Sequence, residues 1–449
     1  MTYDLIILGG GPAGYVAALR AGQVGLRTAL VERERVGGMC LTWGCIPIKA
    51  LIESARLFQR MGQAPAWGIG GFDPSGLRFQ WPVAVRRALD IAAGLGKDIE
   101  TRLQKHGVDL LHGEATILAA DAVQVDGRSL TTRAVLVATG SRIDVERLPL
   151  PRERVWTPRE LFHQAALPEA LAVYGQGGNA VELAQLLRLT GHEVVLLCPE
   201  DRLLPELDPV LEEALAARLA RDGVRIEHEV VLDGYEDGAL RAGAHRVRAD
   251  AVVVATRRRA VLPESRVALA TREGFLCTDA NLQTSVPGIY AAGDVTGLAS
   301  LAHAASAQGL FVVNRLKGHR SPMDLDRYPR TVFALPEAAQ IGETEPQLRS
   351  RGIPFKASLF PMSANGKARA EGQADGFVRV LSHPSTGQVL GVQILADQAA
   401  DLIAEAAVLM RMGGTVFDLA GTAHAHPTVS EVFLEASLAA ARPAPCAPR

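Results

Sequence analysis

The sequence predicts an α/β protein: two parallel-sheet units in succession, then a smaller α+β domain. Three observations carry this. Short apolar runs alternate with Ala-rich helical stretches as far as Thr256. A G-x-G-x-x-G/A pattern occurs twice with the same internal spacing, at Gly9, Gly11, Gly14 and at Gly175, Gly177, Ala180. Beyond Pro329 no further glycine pattern appears, and strand-like runs lead instead into a helix. Composition agrees. At roughly 100–200 residues per domain, 449 residues predict two to four domains. Hydrophobic residues at 48% and charged residues at 21% place the chain among globular proteins. Forty-seven basic against forty-nine acidic residues leave no footprint for nucleic acid or an anionic membrane surface. An odd five cysteines in so long a chain do not make a secreted disulfide scaffold.

The first unit starts with a strand over residues 3–8. Gly9-Gly10-Gly11-Pro12-Ala13-Gly14 comes next, then a helix to about Gly22, and Thr28–Glu32 is the returning strand. The second unit repeats this layout: a strand over 171–174, the turn Gly175–Ala180, a helix to about Thr190, and the strand Glu193–Leu197. A single pattern of this kind is often a plain glycine turn. Two of them, offset by 166 residues at both ends (Gly9 to Gly175, Gly14 to Ala180) and each between a strand and a helix, point to two Rossmann-like dinucleotide sites. Glycine lets the backbone approach a pyrophosphate, and the helix amino end offers unpaired N–H groups. An acid ~20 residues on then holds the adenosine ribose. In the first unit that residue is Glu32; in the second the same offset lands on Cys198, which cannot do that job.

Val135–Gly140 is an apolar strand entering a glycine turn, and Asp250–Thr256 resembles it except that Arg257 stands where the first copy has Gly140. Arg257, Arg258 and Arg259 read as a solvated edge. The stretch Val295–Asn314 lacks Lys, Arg, Asp and Glu, but its Ser, Thr, His, Gln and Asn residues suit a buried helix rather than a ~20-residue membrane span. Strands over 376–381 and 389–395 precede a helix at about 398–412, and the last nine residues form a loose tail. The amino-terminal apolar run Leu5–Leu8 is too short for a signal-peptide core, so a soluble cytoplasmic protein is expected.

Cys40 and Cys45 lie in Gly37-Gly38-Met39-Cys40-Leu41-Thr42-Trp43-Gly44-Cys45-Ile46-Pro47-Ile48-Lys49. Residues five apart in a regular helix are separated by about 7.5 Å along the axis, too far for a disulfide. A bridge therefore needs a distorted turn, which Gly44 permits. Pro47 is placed to open a helix, so Cys45 would face an amino end that favours thiolate. Two buried free thiols are the plain alternative, and half of a metal site lacks the second pair that zinc would need. Position directly after a dinucleotide unit favours a redox pair.

Here the residues resemble the flavoprotein disulfide reductases, and within them the dihydrolipoamide dehydrogenases. Residues 37–51 look like the redox-disulfide motif of that family. Thr284–Asp294 looks like its second flavin motif, and His424-Ala425-His426-Pro427-Thr428-Val429-Ser430-Glu431 like its acid–base motif. The resemblance implies an FAD enzyme that oxidises protein-bound dihydrolipoyl groups and passes hydride to NAD+. Gly9, Gly11, Pro12, Ala13, Gly14, Glu32, Gly38, Lys49, Thr139, Gly140, Asp294 and Ala302 would serve FAD. Gly175, Gly177, Ala180, Glu182 and the position of Cys198 would serve NAD(P). Cys45 would be the flavin-proximal thiol and Cys40 the interchange thiol. Lys49 and Glu182 would form an ion pair near the flavin, and His426, oriented by Glu431, would be the base supplied by the other subunit of a homodimer. The implied domains are 1–143 for FAD, 144–262 for NAD(P), 263–330 completing the FAD site, 331–440 for dimerisation, and a tail at 441–449. The implied partner is the lipoyl domain of a lipoate-carrying protein or 2-oxoacid dehydrogenase acyltransferase.

Departures gather on the nicotinamide side, at Cys198 and Arg257, with Thr42, Trp43 and Ile48 differing beside the disulfide. They leave NADP open. They also keep two alternatives: a glutathione- or mercuric-reductase-like enzyme, and a redox scaffold subunit with weak nicotinamide turnover.

Overall fold

A computed structural model describes residues 2–441 apart from 244, 257, 320–323 and 326. The expectations for Arg257 and for the tail beyond residue 441 lie outside the described residues. The first parallel sheet runs in the order Ile289–Ala291, Val135–Val137, Leu5–Leu8, Thr28–Glu32, Asp109–His112. Its central strand Leu5–Leu8 is buried along its whole length, as a strand covered on both faces must be. The strand expected over residues 3–8 is divided at Asp4. Thr2–Tyr3 pairs with Thr131 and Thr132 in a neighbouring sheet, and Leu5–Leu8 alone joins the parallel one.

Helix α1 (Pro12–Gln23) carries Pro12 in its first turn, where a missing N–H costs nothing. The redox segment forms α2 (Gly38–Thr42) and α3 (Cys45–Gly62), and α4 (Trp81–Lys105) packs beside α3. The second parallel sheet is ordered Val155–Trp156, Ala251–Val254, Ala170–Tyr174, Glu193–Leu197, Arg225–Glu227. Against it lie α5 (Pro158–Phe162), α6 (Gly178–Leu189) and α7 (Pro209–Arg221). The charge-free stretch becomes α8 (Ala302–Leu316), packed on α1 so closely that a Cβ on Gly309 would sit 2.3 Å from the Ala13 carbonyl oxygen. Among the described residues no helix is long and apolar enough to cross a membrane.

The carboxy-terminal sheet is antiparallel, ordered Arg330–Val332, Glu337–Gly342, Val389–Ala396, Phe377–Ser382, Lys356–Pro361. Helices Ala399–Arg411 and Glu431–Ala441 cover it over a core that includes Val380, Val392, Ile403 and Phe433. A buried polar network joins this domain to the second parallel unit. Arg379 pairs with Asp208 at 3.1 Å and also with Glu345; Asp208 accepts the Glu345 N–H at 2.7 Å, and Gln340 accepts the Asp208 N–H at 2.7 Å. Such a network makes a poor store of stability but a good specifier of one docking geometry, because breaking it strands a buried charge.

Candidate active site

The first glycine turn is closed tightly on itself. A Cβ on Gly14 would lie 1.8 Å from the Gly9 carbonyl oxygen, and one on Gly38 would lie 2.7 Å from Gly11 Cα. Gly11 caps α1 without any side-chain bond, so the amino end of that helix keeps unpaired donors. Glu32 ends the returning strand beside the turn. Its Oε2 accepts the Gly10 N–H at 2.7 Å and its Oε1 the Glu34 N–H at 2.8 Å, which locks the carboxylate beside the turn. This cradle, stripped of side chains and flanked by a fixed acid, fits the adenosine diphosphate part of FAD.

The chain turns from that cradle into the redox pair. Helix α2 stops at Thr42, the backbone breaks at Trp43 and Gly44, and α3 begins at Cys45 itself. The break brings the Cys40 and Cys45 Cα atoms to 4.7 Å, and the two residues form a disulfide. Gly44 eases the break, because a Cβ would lie only 3.0 Å from the Met39 carbonyl oxygen. Cys45 occupies the first helical position of an 18-residue helix, where the helix dipole favours a thiolate. Trp43, between the cysteines, lies under the Arg159 guanidinium (4.7 Å from the ring centroid) and against the His163 ring.

One turn into α3, Lys49 Nζ donates to Glu182 Oε2 at 2.6 Å. Glu182, on α6, is only 3% exposed, and its Oε1 accepts the Phe333 N–H at 2.9 Å. Asp294 comes shortly after the strand Ile289–Ala291. It accepts from Ser141 Oγ at 2.6 Å, while the Arg258 guanidinium donates to Ser141 and lies 3.7 Å from Asp294. Arg258 is therefore not part of a solvated edge. Its side chain is 14% exposed, burial draws its pKa below the ordinary value, and Asp294 opposes that fall. Arg259 does face outward, toward Glu146. Gln308 of α8 accepts the Gly293 N–H at 2.7 Å and fixes the approach to Asp294. Thr139 and Gly140 lie in the turn after Val135–Val137, with Thr139 Oγ1 donating to the Val261 carbonyl, and Ala302 opens α8. Ser141, Arg258 and Gln308 had no local signal of their own; only Ser141, adjacent to Gly140, stood near a motif.

The second turn keeps the cradle and changes its surroundings. A Cβ on Gly175 would lie 2.4 Å from the Ala255 carbonyl oxygen, whereas Gly177 faces open space and Ala180 is fully buried. Cys198 is also fully buried, its thiol donates to the Arg202 carbonyl at 3.4 Å, and burial raises its pKa. Its side chain therefore turns inward, unlike the carboxylate of Glu32 at the corresponding place in the first unit. The loop after it folds against the glycine turn, with the Leu204 N–H donating to the Gln176 carbonyl at 2.8 Å. The Arg202 guanidinium is held by Glu212 through Nε (2.9 Å) and Nη2.

His426 lies on the surface of the carboxy-terminal domain, 81% exposed, with its Nδ1 2.9 Å from Glu431 Oε1. The Thr428 N–H, and then His426, hold the Glu431 carboxyl below the usual range. With Nδ1–H donated to the carboxylate, Nε2 is the basic nitrogen turned outward. The neighbouring His424 does different work: its side chain is 5% exposed and pairs with Glu405 at 2.9 Å.

A family model described as pyridine nucleotide-disulphide oxidoreductase matches residues 3–309, and the dimerisation-domain model of the same family matches residues 328–437. Dihydrolipoyl dehydrogenase of Thermus scotoductus is 35% identical, covering 97% of each chain. That of Chlamydia trachomatis is 30% identical over 98% of this chain and 97% of its own. Among solved structures, LpdA from Mycobacterium tuberculosis superposes with a TM-score of 0.89 at 28% identity, over 97% of this chain and 98% of that one. The HOCl-induced flavoprotein disulfide reductase RclA from Escherichia coli shares the fold, with a TM-score of 0.86 at 23% identity over 97% and 99%.

Proposed function

Because the chain belongs to the pyridine nucleotide-disulphide oxidoreductase family, we propose that it oxidises protein-bound dihydrolipoyl groups to the lipoyl disulfide, with NAD+ as hydride acceptor. It is a flavoprotein oxidoreductase whose cofactors are those of the family, FAD and NAD. The observation that carries the reading is the Cys40–Cys45 disulfide at the start of α3, one turn from the Lys49–Glu182 pair.

A substrate thiolate attacks Cys40 Sγ, and Cys45 leaves as a thiolate stabilised by the α3 amino end. The second substrate thiol loses its proton to His426 Nε2 and attacks the substrate sulfur of the mixed disulfide, expelling Cys40. The substrate leaves as a disulfide, and two electrons remain on the cysteine pair. FAD, when bound, supplies the two-electron connection from that pair to the nicotinamide. Gly9, Gly11, Gly14 and Glu32 would hold its adenosine half, and Asp294, which accepts from Ser141, would hold the ribityl chain. Glu431 orients His426 and stabilises the imidazolium once it has taken the proton.

The dimerisation domain supports a homodimer. Val408, Met412 and Phe417 of that domain are exposed, at 57–80%, and would be covered by a second copy. His426 has Glu431 as its only hydrogen-bond partner among the described residues, which suits a base offered to the partner's disulfide. NAD+ rather than NADP+ is favoured because Arg202, in the loop that folds against the second turn, is already paired with Glu212.

The test is anaerobic reduction by two electrons. Wild type is expected to develop a long-wavelength thiolate–flavin absorbance band and to turn over dihydrolipoamide. Cys45→Ser should keep the flavin and lose both. A wild type with both thiols intact and no such band defeats the reading.

A further inference from the structure

Three parts of the chain meet at one ion pair. Lys49 comes from α3, Glu182 from the first turn and a half of α6, and Phe333 from the link between Arg330–Val332 and Glu337–Gly342 in the carboxy-terminal domain. Lys49 Nζ lies 4.4 Å from the centroid of the Phe333 ring, and the Phe333 N–H donates to Glu182 Oε1 at 2.9 Å. One residue therefore touches both members of the pair, the lysine through its ring and the glutamate through its backbone.

The energetics make this contact matter. A carboxylate as buried as Glu182 is expensive unless both oxygens are satisfied. Lys49 satisfies one and the Phe333 amide the other. The lysine side chain is still 25% exposed, so its ammonium has to be kept on the glutamate against solvent. An aromatic face over the ammonium does this, through the attraction of the ring quadrupole for the cation. The backbone under the ring is fixed in turn. Gln185, 2% exposed and one turn further along α6, accepts the Leu335 N–H at 2.7 Å and donates to the Leu335 carbonyl at 2.9 Å. Residues 333–335 are thus stitched to α6 at two points, which leaves the ring little freedom to leave the lysine.

We propose that Phe333 is a positioning residue of the redox centre: its ring and its amide hold the Lys49–Glu182 pair in place from the carboxy-terminal domain. The proposal rests on the assignment of that pair to the flavin's surroundings. Phe333 acts only through Lys49 and Glu182. Its removal should loosen a positive charge that favours the reduced, electron-rich flavin, and so make the bound flavin harder to reduce.

The experiment compares Phe333→Leu, Phe333→Met and Phe333→Tyr in the FAD-loaded protein. It measures the flavin midpoint potential and the rate of flavin reduction by NADH, with circular dichroism and thermal melting as folding controls. Leu removes the π face and Met removes it with little change of volume. Both are expected to shift the potential downward and slow reduction by about tenfold, the size of one cation–π contact. Tyr should restore both. Unchanged potential and rate in either folded variant, or a Tyr variant as impaired as Leu, would overturn the proposal; should Leu not fold, Met decides alone. Neither readout uses lipoamide, so absence of lipoamide turnover in the wild type would strike the substrate assignment and leave this result standing.

Discussion

The two glycine turns share their spacing and differ in the residues around it. In the first, the third glycine is obligatory, because any Cβ on Gly14 would run into the Gly9 carbonyl. In the second, Ala180 fills the equivalent place with its methyl group fully buried. The first strand ends in Glu32, whose two oxygens each take a backbone N–H beside the turn. The second leads into Cys198, which turns inward to the Arg202 carbonyl. Spacing thus encodes the pyrophosphate cradle, common to both halves. The residue after the returning strand's apolar run is where the halves have diverged: a fixed carboxylate at Glu32 and a buried thiol at Cys198.

That contrast can be broken experimentally, and the largest effect should come from Gly14→Ala. A methyl group 1.8 Å from a carbonyl oxygen forces the turn open. Overpacking of this kind costs at least about 1–3 kcal/mol, so FAD affinity should fall roughly 100-fold or the protein should be purified without flavin. Apoprotein reconstitution with absorbance detection would measure it. Glu32→Ala comes next. It removes the charge-assisted bonds to the Gly10 and Glu34 N–H groups and the proposed acceptor for ribose, so FAD should bind roughly 10–100-fold more weakly. Cys198→Ala should leave FAD affinity alone.

Glu212→Gln probes the other half. It releases the Arg202 guanidinium, and affinity for 2′-phospho-ADP-ribose should rise by about tenfold while that for ADP-ribose stays level. Calorimetric titration reads this without turnover; equal affinities before and after would show that Arg202 does not face the phosphate. The smallest effect belongs to Ala180→Gly. It should cost about 1 kcal/mol of helix stability, visible as a lowered melting temperature, with nucleotide affinity nearly unchanged.

Much of this was legible in the sequence, for a physical reason. Strands such as Thr28–Glu32 and Glu193–Leu197 lie inside parallel sheets with both faces covered, so their apolar runs are continuous and their ends sharp. The glycine turns were legible because steric demands leave few residue types possible there. The division of the strand at residues 3–8 is not encoded locally, because it depends on Thr131 and Thr132, more than a hundred residues away. The same distance hid the support of Asp294. Ser141 precedes it by 153 positions, and Arg258 lay inside a run of arginines that looked like ordinary surface. Phe333 carried no pattern either; its contacts with Lys49 and Glu182 arise only when three domains close on one point.

The most direct measurement is kcat/KM for dihydrolipoamide oxidation with NAD+ and with NADP+ on the FAD-loaded homodimer. Oxidised glutathione, with NADH and with NADPH, serves as the competing substrate. The proposed function predicts rapid turnover of dihydrolipoamide, a preference for NAD+ over NADP+, and no comparable glutathione reduction. Equal use of NADP+, or glutathione turnover exceeding that of lipoamide, would contradict it.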